Sequence, residues 1–397
     1  MKIKNLKHIA CRLLTILAIW AVSLQAGAQT VTPLPTDGPL TINPKLQALA
    51  EQLLRNKQGS IVAIDPSTGR ILALVSHNKV DDGVNRAIGM TYSPGSTLKT
   101  AQALEMVSEG TLTTETSYPC RKGFTYNGIH IGCHQHKSPL TLVQAIGQSC
   151  NSYFCKAFQE MIDNRNDYPS QFEAIDRWAD YMHSFGLGRP LGVDMEGEAG
   201  GIIPDAEYLR KQHTRWNGTT VMWIGMGQGE VAVTPLQLCN LAALIANRGW
   251  FVTPHIHKHP AGAADTTYTA RHYAKGTADA FDVVVRGMRA CVLNGTAASI
   301  NRADYHICGK TGTAENEGAD HSIFMGFAPM EKPKVAVSVY VENGGFGARL
   351  AAPIASLVIE QQVHGYLSEK SKAEARRLSA KDVKITPVEV EISFDDL

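Results

Sequence analysis

Two β-rich blocks at opposite ends of the chain constrain its fold more than any other feature. Ser60-Ile61-Val62-Ala63-Ile64 and Arg70-Ile71-Leu72-Ala73-Leu74-Val75 are apolar, β-branched runs joined by the turn residues Asp65-Pro66-Ser67-Thr68-Gly69. That is a hairpin, and runs so apolar on both faces suit a central, covered sheet. The β-pattern returns only at Tyr305–Glu315, Ser322–Ala328 and Lys334–Glu342. From Ser96 to about Gly295 the signals are mainly helical, with helices expected over 140–161, 170–185, 235–247 and 278–292. Asn43-Pro44 and Thr234-Pro235 are cap-and-proline helix starts, the first opening a helix through about Arg55. An amphipathic helix over about Ala351–Tyr366 closes the pattern. The expected fold class is α+β: an antiparallel sheet flanked by helices, with an all-helical subdomain inserted over about 98–295.

The ends of the chain carry different information. Lys2, Lys4, Lys7 and Arg12 precede an apolar run from Leu13 through Leu24, and Ala26-Gly27-Ala28 offers a small-x-small cleavage site. An apolar core of about twelve residues is short for a membrane span, which needs about 18 or more. Residues 1–28 therefore read as an export signal, either cleaved before Gln29 or retained as an anchor. Residues 29–39, rich in Thr and Pro, read as a linker. The charged segment 368–397 is expected to be a loosely packed or extended tail. The net charge is +1 and no basic stripe is present, which excludes a nucleic-acid footprint.

Export makes the cysteines informative. Seven follow the leader, an odd number, so at least one stays free or pairs between chains. Cys120 and Cys133 bracket a Gly-rich loop and form the best disulfide pair for an oxidising compartment. Cys150, Cys155, Cys239 and Cys291 sit in apolar helical runs and read as small core residues. His255, His257 and His259 alternate as one face of a strand, which reads as an exposed polar face with metal binding as the alternative, and His134 and His136, just past Cys133, face solvent. Asp320-His321 reads as a turn-forming Asp and a packed His, with a role near a cleft as the alternative. No metal and no cofactor is expected.

The chemistry is carried by three short motifs. In Tyr92-Ser93-Pro94-Gly95-Ser96-Thr97-Leu98-Lys99 a Pro-Gly turn precedes a helical run. Ser96 and Lys99, three apart at a helix start, share one face. A hydroxyl there feels the positive helix end, and a neighbouring amine in a dry pocket can lose its charge and accept the hydroxyl proton. Ser76-His77-Asn78-Lys79 matches the same spacing, but it ends a strand and lacks a helix. Ser149-Cys150-Asn151 sits in the helical region; a helix-break cap is its plain reading. Cys308-Gly309-Lys310-Thr311-Gly312-Thr313 lies in the first late strand, where a cation, two hydroxyls and a glycine suit a bound carboxylate and an oxyanion. A phosphate loop is excluded there, because its first glycine would fall at Asp304. S-x-x-K, then S-x-N, then K-T-G is the order of the serine acyl-enzymes.

On these motifs the chain resembles the transpeptidase domain of class B penicillin-binding proteins, especially the elongation-type group. The likeness includes Leu40-Thr41-Ile42-Asn43, Asp65-Pro66-Ser67-Thr68-Gly69-Arg70, Asn85-Arg86-Ala87, Gly225-Met226-Gly227-Gln228-Gly229-Glu230, Thr234-Pro235-Leu236-Gln237-Leu238 and Gly326-Phe327-Ala328-Pro329. It covers roughly 40–365, within an expected transpeptidase domain of 40–367 and the fold shared with serine β-lactamases. The resemblance implies Ser96 as nucleophile, Lys99 as its base, Ser149 as proton relay and Asn151 as holder of the substrate amide. Lys310, Thr311, Gly312 and Thr313 would bind the terminal carboxylate, with the N–H groups of Ser96 and Thr313 as the oxyanion hole. It implies peptidoglycan stem peptides ending in D-Ala-D-Ala as substrates and β-lactams as covalent inhibitors, in the periplasm or at the outer face of the inner membrane. Family members carry a large pedestal before this domain; here about ten linker residues stand in its place. The expectation is a catalytic domain without the pedestal, its cell-wall synthesis partners left open. Its acyl acceptor would be an amine or, alternatively, water, as in a D,D-carboxypeptidase or β-lactamase. A non-turnover sensor of β-lactams or muropeptides is the third reading.

Overall fold

The structure, a computed structural model, describes residues 29–126, 128–259, 266–316 and 318–386. The expected leader and the end of the tail lie outside them. Six strands form one antiparallel sheet: β1 (Thr30–Val31), β2 (Gly59–Ile64), β3 (Ile71–Asn78), β4 (Cys308–Ala314), β5 (His321–Ala328) and β6 (Val335–Val341). Their order is β1-β3-β2-β6-β5-β4, so the early hairpin and the late strands do pair, through β2 and β6. Every residue of β2 and β6 is buried, as expected for central strands covered on both faces.

The period-two pattern divides the sheet between two cores. Val62, Ile64, Leu74, Met325, Phe327 and Tyr340 face one side. Ile61, Ala63, Val75, Val337, Val339 and Val341 face the other. Helices α1 (Pro44–Leu54), α8 (Ala351–His364) and α9 (Glu369–Ala380) belong to the second core. The first is covered by the insert, with α2 (Lys99–Ser108), α3 (Leu142–Gln148), α4 (Asn151–Ile162), α5 (Gln171–Ser184), α6 (Pro235–Ala246) and α7 (Ala278–Asn294). All twelve residues of α6 are buried between sheet and insert. The caps read from sequence are present: Asn43 Oδ1 accepts from Lys45 and Leu46 N–H, and Thr234 with Gln237 forms a capping box. No helix among the described residues is long and apolar enough to cross a membrane.

Four expectations change. The helix expected over 140–161 is two helices, because Ser149 adopts a left-handed conformation that ends α3. The insert is mainly helical but also holds three two-stranded pieces, among them the hairpin Gly123–Tyr126/Ile129–Gly132. The linker is not free of structure: Thr30 and Val31 pair with Asn78 and His77. The tail is not loose. Ala375 and Leu378 of α9 are buried in the second core, and Lys57 Nζ donates to Leu378 O (2.7 Å). Beyond α9, Val383 N–H donates to Asn56 O (3.1 Å), and the segment reaches Asn343, whose Nδ2 donates to Thr386 Oγ1 (3.5 Å).

Candidate active site

The Pro-Gly turn delivers Ser96 as the middle residue of a single 3-10 turn, Gly95–Thr97, immediately before α2. Two neighbours clamp this turn. Gly95 N–H donates to Gly227 O (2.8 Å), and the edge strand β4 lies along the other side. Gly227 has φ +70°, and a Cβ there would sit 2.2 Å from Gly95 O. Gly312 is tight but less so, since a Cβ would meet Thr97 Cγ2 at 3.0 Å and Pro94 O at 3.1 Å. Gly227→Ala is therefore expected to strain the backbone by about 1–3 kcal/mol and push the Ser96 turn out of place. Its melting temperature should fall by a few degrees, while reaction of Ser96 with an acylating reagent slows by on the order of 10²-fold. An unchanged reaction rate in a folded variant would show that the clamp does not position Ser96.

Behind half-exposed Ser96 lie two fully buried lysines. Lys99 Nζ is 3.0 Å from Ser96 Oγ, 3.1 Å from Ser149 O and 2.5 Å from Asn151 Oδ1. Lys310 Nζ donates to Ser149 Oγ and to Thr311 O, both at 2.8 Å. Burial, and then the charge of Lys310, lowers the Lys99 pKa to about 7. Burial lowers that of Lys310 to about 8. Two ammonium groups in one dry site repel each other, so near neutral pH Lys99 gives up its proton first. Ser149 meets both lysines, with its Oγ toward Lys310 and its carbonyl oxygen toward Lys99.

The second motif depends on the break that sequence periodicity missed. The left-handed Ser149 (φ 55°, ψ 39°) turns its side chain toward Lys310, and α4 restarts with Cys150 as N-cap and Asn151 as its first residue. Asn151 is held from the insert hairpin: its Nδ2 donates to Gly132 O (2.7 Å), and its N–H donates to Cys133 Sγ (3.3 Å). On β4, Thr311 Oγ1 pairs with Thr296 Oγ1 (2.6 Å), and Thr313 O accepts from Gln228 Nε2 (3.4 Å). Ser96, Lys99, Ser149, Asn151, Lys310, Thr311, Gly312 and Thr313 thus come together from three separate parts of the chain. Ser96, Ser149, Asn151, Thr311 and Thr313 face a cleft of about 570 Å³. Trp223, Glu315, Phe346 and Arg349 also line it, and sequence reasoning missed them because they belong to no motif. Gln228 lines it too, from a motif for which the sequence suggested no role. Asp320 reaches the cleft, whereas His321 packs against the stacked rings of Tyr92 and Tyr340 and accepts Asn343 N–H.

The histidine and cysteine expectations need correction. His255 is buried, and His257 and His259 both contact Asp194 Oδ2 (3.0 and 3.2 Å); together they fasten a loop rather than face solvent. Cys120 and Cys133 are free thiols. Cys150 is a core residue, as expected, and its sulfur lies with donor atoms of Cys120, Cys133 and His136, all within 4.8 Å of one another. Cys133 Sγ is 3.4 Å from His136 Nε2 and 4.0 Å from Cys150 Sγ. A tetrahedral ion bound at about 2.3 Å from sulfur and 2.0 Å from nitrogen needs ligand separations of about 3.5–3.8 Å. Three thiolates and one imidazole suit a soft, four-coordinate Zn²⁺. Contact with Cys150, and then the imidazoles of His134 and His136, holds the Cys133 thiol far below its usual range. The four donors lie on three segments of the sequence that only the fold brings together.

Residues 59–360 match the family model described as the penicillin binding protein transpeptidase domain. The peptidoglycan D,D-transpeptidase MrdA of Acinetobacter baumannii is 31% identical over 365 residues, covering 79% of this chain and 52% of the relative. The chain therefore spans about half the length of that curated relative. Pseudomonas aeruginosa PBP2, solved in complex with WCK 5153, superimposes with a TM-score of 0.71 at 31% identity, covering 83% of this chain and 77% of that one. Helicobacter pylori PBP2, solved in complex with MreC, gives 0.70 at 25% identity over 83% of this chain and 64% of that one.

Proposed function

The chain belongs to the family of penicillin-binding protein transpeptidase domains, and on that premise we propose that it is a peptidoglycan D,D-transpeptidase of the elongation type, acting outside the cytoplasm. One observation carries the reading. Lys99 Nζ lies 3.0 Å from Ser96 Oγ and 3.1 Å from Ser149 O, while Lys310 Nζ lies 2.8 Å from Ser149 Oγ, so base, nucleophile and relay form a connected set. Neutral Lys99 accepts the Ser96 proton as Oγ attacks the carbonyl carbon between the two terminal D-Ala residues of a stem peptide. The N–H groups of Ser96 and Thr313 hold the developing oxyanion. Lys310, Thr311 and Thr313 take the terminal carboxylate, and Asn151 holds the substrate amide. Collapse breaks the C–N bond, and the leaving D-Ala amine receives its proton from Ser149, which is resupplied across the lysine pair. An acceptor amine then attacks the acyl-enzyme. A β-lactam enters the first half of this cycle as a mimic and stays on Ser96.

The test is intact-mass spectrometry of the chain with a penicillin, and product analysis with a pentapeptide ending in D-Ala-D-Ala plus an amine acceptor. An adduct and an amine-ligated product are expected. Release of tetrapeptide alone would replace the assignment by a D,D-carboxypeptidase. Co-purification with MreC-like proteins would test whether the partner seen with Helicobacter pylori PBP2 extends to this chain.

The pH dependence follows from the lysine pair. The acylation rate should rise as pH increases through about 7, where Lys99 loses its proton. It should fall above about 8, where Lys310 loses the charge that holds the carboxylate. The two limbs belong to the coupled pair rather than to either lysine. A flat profile of the acylation rate constant across this range would exclude Lys99 as the base.

A further inference from the structure

One buried polar network has no part in the cleft chemistry, and it stands behind Ser96 rather than in the cleft lining. Glu342 follows β6, and its Oε1 receives two donors at once, Arg86 Nε (2.8 Å) and Tyr92 Oη (2.6 Å). Its Oε2 receives Gln58 Nε2 (2.8 Å). The rest of the Arg86 guanidinium is held by Asn78 Oδ1 (2.7 Å) and by the two oxygens of Asp82 (2.9 and 2.6 Å). Arg86 and Tyr92 are buried, so a partner removed here leaves a costly orphan. We propose that Glu342 is a positioning residue for Ser96: by holding Arg86 and Tyr92 on one carboxylate oxygen, it fastens the chain entering the nucleophile turn to the end of β6. The proposal rests on the reading of Ser96 as the nucleophile.

Tyr92 opens the stretch that carries Ser96. Its backbone pairs with Val233, 2.9 Å in both directions, which fixes the strand but leaves the ring to its side-chain contacts. The ring stacks on that of Tyr340, with centroids 4.1 Å apart, and Tyr340 Oη donates to Ser93 O (3.4 Å). His321 packs against both rings. Burial, and then the Glu342 carboxylate, keep the Tyr92 hydroxyl protonated, so it stays a donor. The aromatic pair thus backs residues 92 and 93, whereas the Gly95–Gly227 and Thr97–Pro94 contacts hold only the turn itself. Without Glu342 the Tyr92 hydroxyl loses its acceptor, the ring is free to turn, and the Tyr340 contact with Ser93 goes with it. Ser96 then drifts from Lys99, whose 3.0 Å approach the proton transfer needs.

Two readouts separate positioning from bulk stability. One is acylation by a penicillin, split into the dissociation constant of the initial complex and the acylation rate constant; the other is hydrogen exchange over residues 93–98. Tyr92→Phe, which removes only the hydroxyl, and Glu342→Ala should each lower the acylation rate constant about 10-fold, with the initial dissociation constant changed less than about 2-fold. In the double variant the losses should not multiply, since both break one contact. Glu342→Gln, which keeps an acceptor, should recover most of the rate. Glu360→Gln is the control. That buried carboxylate receives Arg302 Nη1 (2.7 Å) and Ser368 N–H (3.0 Å) beside the second core, so its loss should lower the melting temperature as much, with the acylation rate unchanged. Exchange over 93–98 should quicken about 10-fold in Tyr92→Phe and Glu342→Ala, and stay parental in Glu360→Gln. Tyr92→Phe carries the test alone if Glu342→Ala does not fold. Exchange needs no reaction, so a parent that no penicillin acylates, with exchange quickened in the variants, would strike the transpeptidase reading and leave the hold on the turn standing. A parental acylation rate in folded Tyr92→Phe, losses that multiply, or an equal loss in Glu360→Gln would each overturn the proposal.

Discussion

Replacing Ser96 by Ala should leave a folded protein that no penicillin can label. Ser96 Oγ receives one hydrogen bond, from Lys99, and the turn around it is fixed by backbone contacts of Gly95 and by Thr97 Oγ1 on Pro94 O (2.7 Å). The substitution therefore removes the nucleophile without dismantling its support. Loss of a serine nucleophile costs on the order of 10⁴–10⁶ in turnover, because the remaining groups can bind and polarise substrate but cannot form the acyl-enzyme. Intact-mass spectrometry after incubation with a penicillin reads the outcome as one adduct on the parent chain and none on the variant. A labelled Ser96→Ala chain would move the nucleophile elsewhere, and with it the roles of Lys99 and Asn151.

The second large effect separates the two buried lysines. Lys99→Arg should acylate about 10²–10⁴-fold more slowly than the parent, as slowly as Lys99→Ala, because a guanidinium does not give up its proton. Lys310→Arg should retain more activity than Lys99→Arg, since the role given to Lys310 is a fixed charge on the carboxylate side of the cleft. Both side chains are fully buried, so melting curves are needed beside the rates. The discriminating quantity is the ratio of the two Arg variants' acylation rates with a fluorescent penicillin. A Lys99→Arg protein that acylates as fast as Lys310→Arg would rule out the division into base and anchor.

The sheet was legible because its strands are written in runs that alternate between two cores, and because β2 and β6 are apolar throughout. The nucleophile turn and β4 were legible because each is one short continuous motif. The break at Ser149 showed only in the plain cap reading of Ser149-Cys150-Asn151 and not in the helical periodicity over 140–161, since a left-handed serine has neither the glycine nor the proline that normally marks a break. Helix α9 was missed because its sequence is highly polar; only the narrow stripe of Ser371, Ala375, Leu378 and Ser379 is buried, at helical spacing. The thiol cluster was out of reach for a different reason. Cys120 precedes the insert hairpin, Cys133 and His136 follow it, and Cys150 caps α4, so no local spacing announces a metal.

The segment after α9 runs like a tie-bar along one end of the sheet. It is fastened at Asn56 and Lys79 on the far side, and Thr386 packs where a side chain on Gly318 would stand, in the loop between β4 and β5. That loop leads from Glu315 to Asp320 at the rim of the cleft. The two ends of the described chain are therefore mechanically unequal. A load attached ahead of Thr30 hangs from the edge strand farthest from β4, whereas a load attached beyond Thr386 is leashed to the lip of the catalytic opening, and tension there reaches the substrate's doorway before it reaches either core.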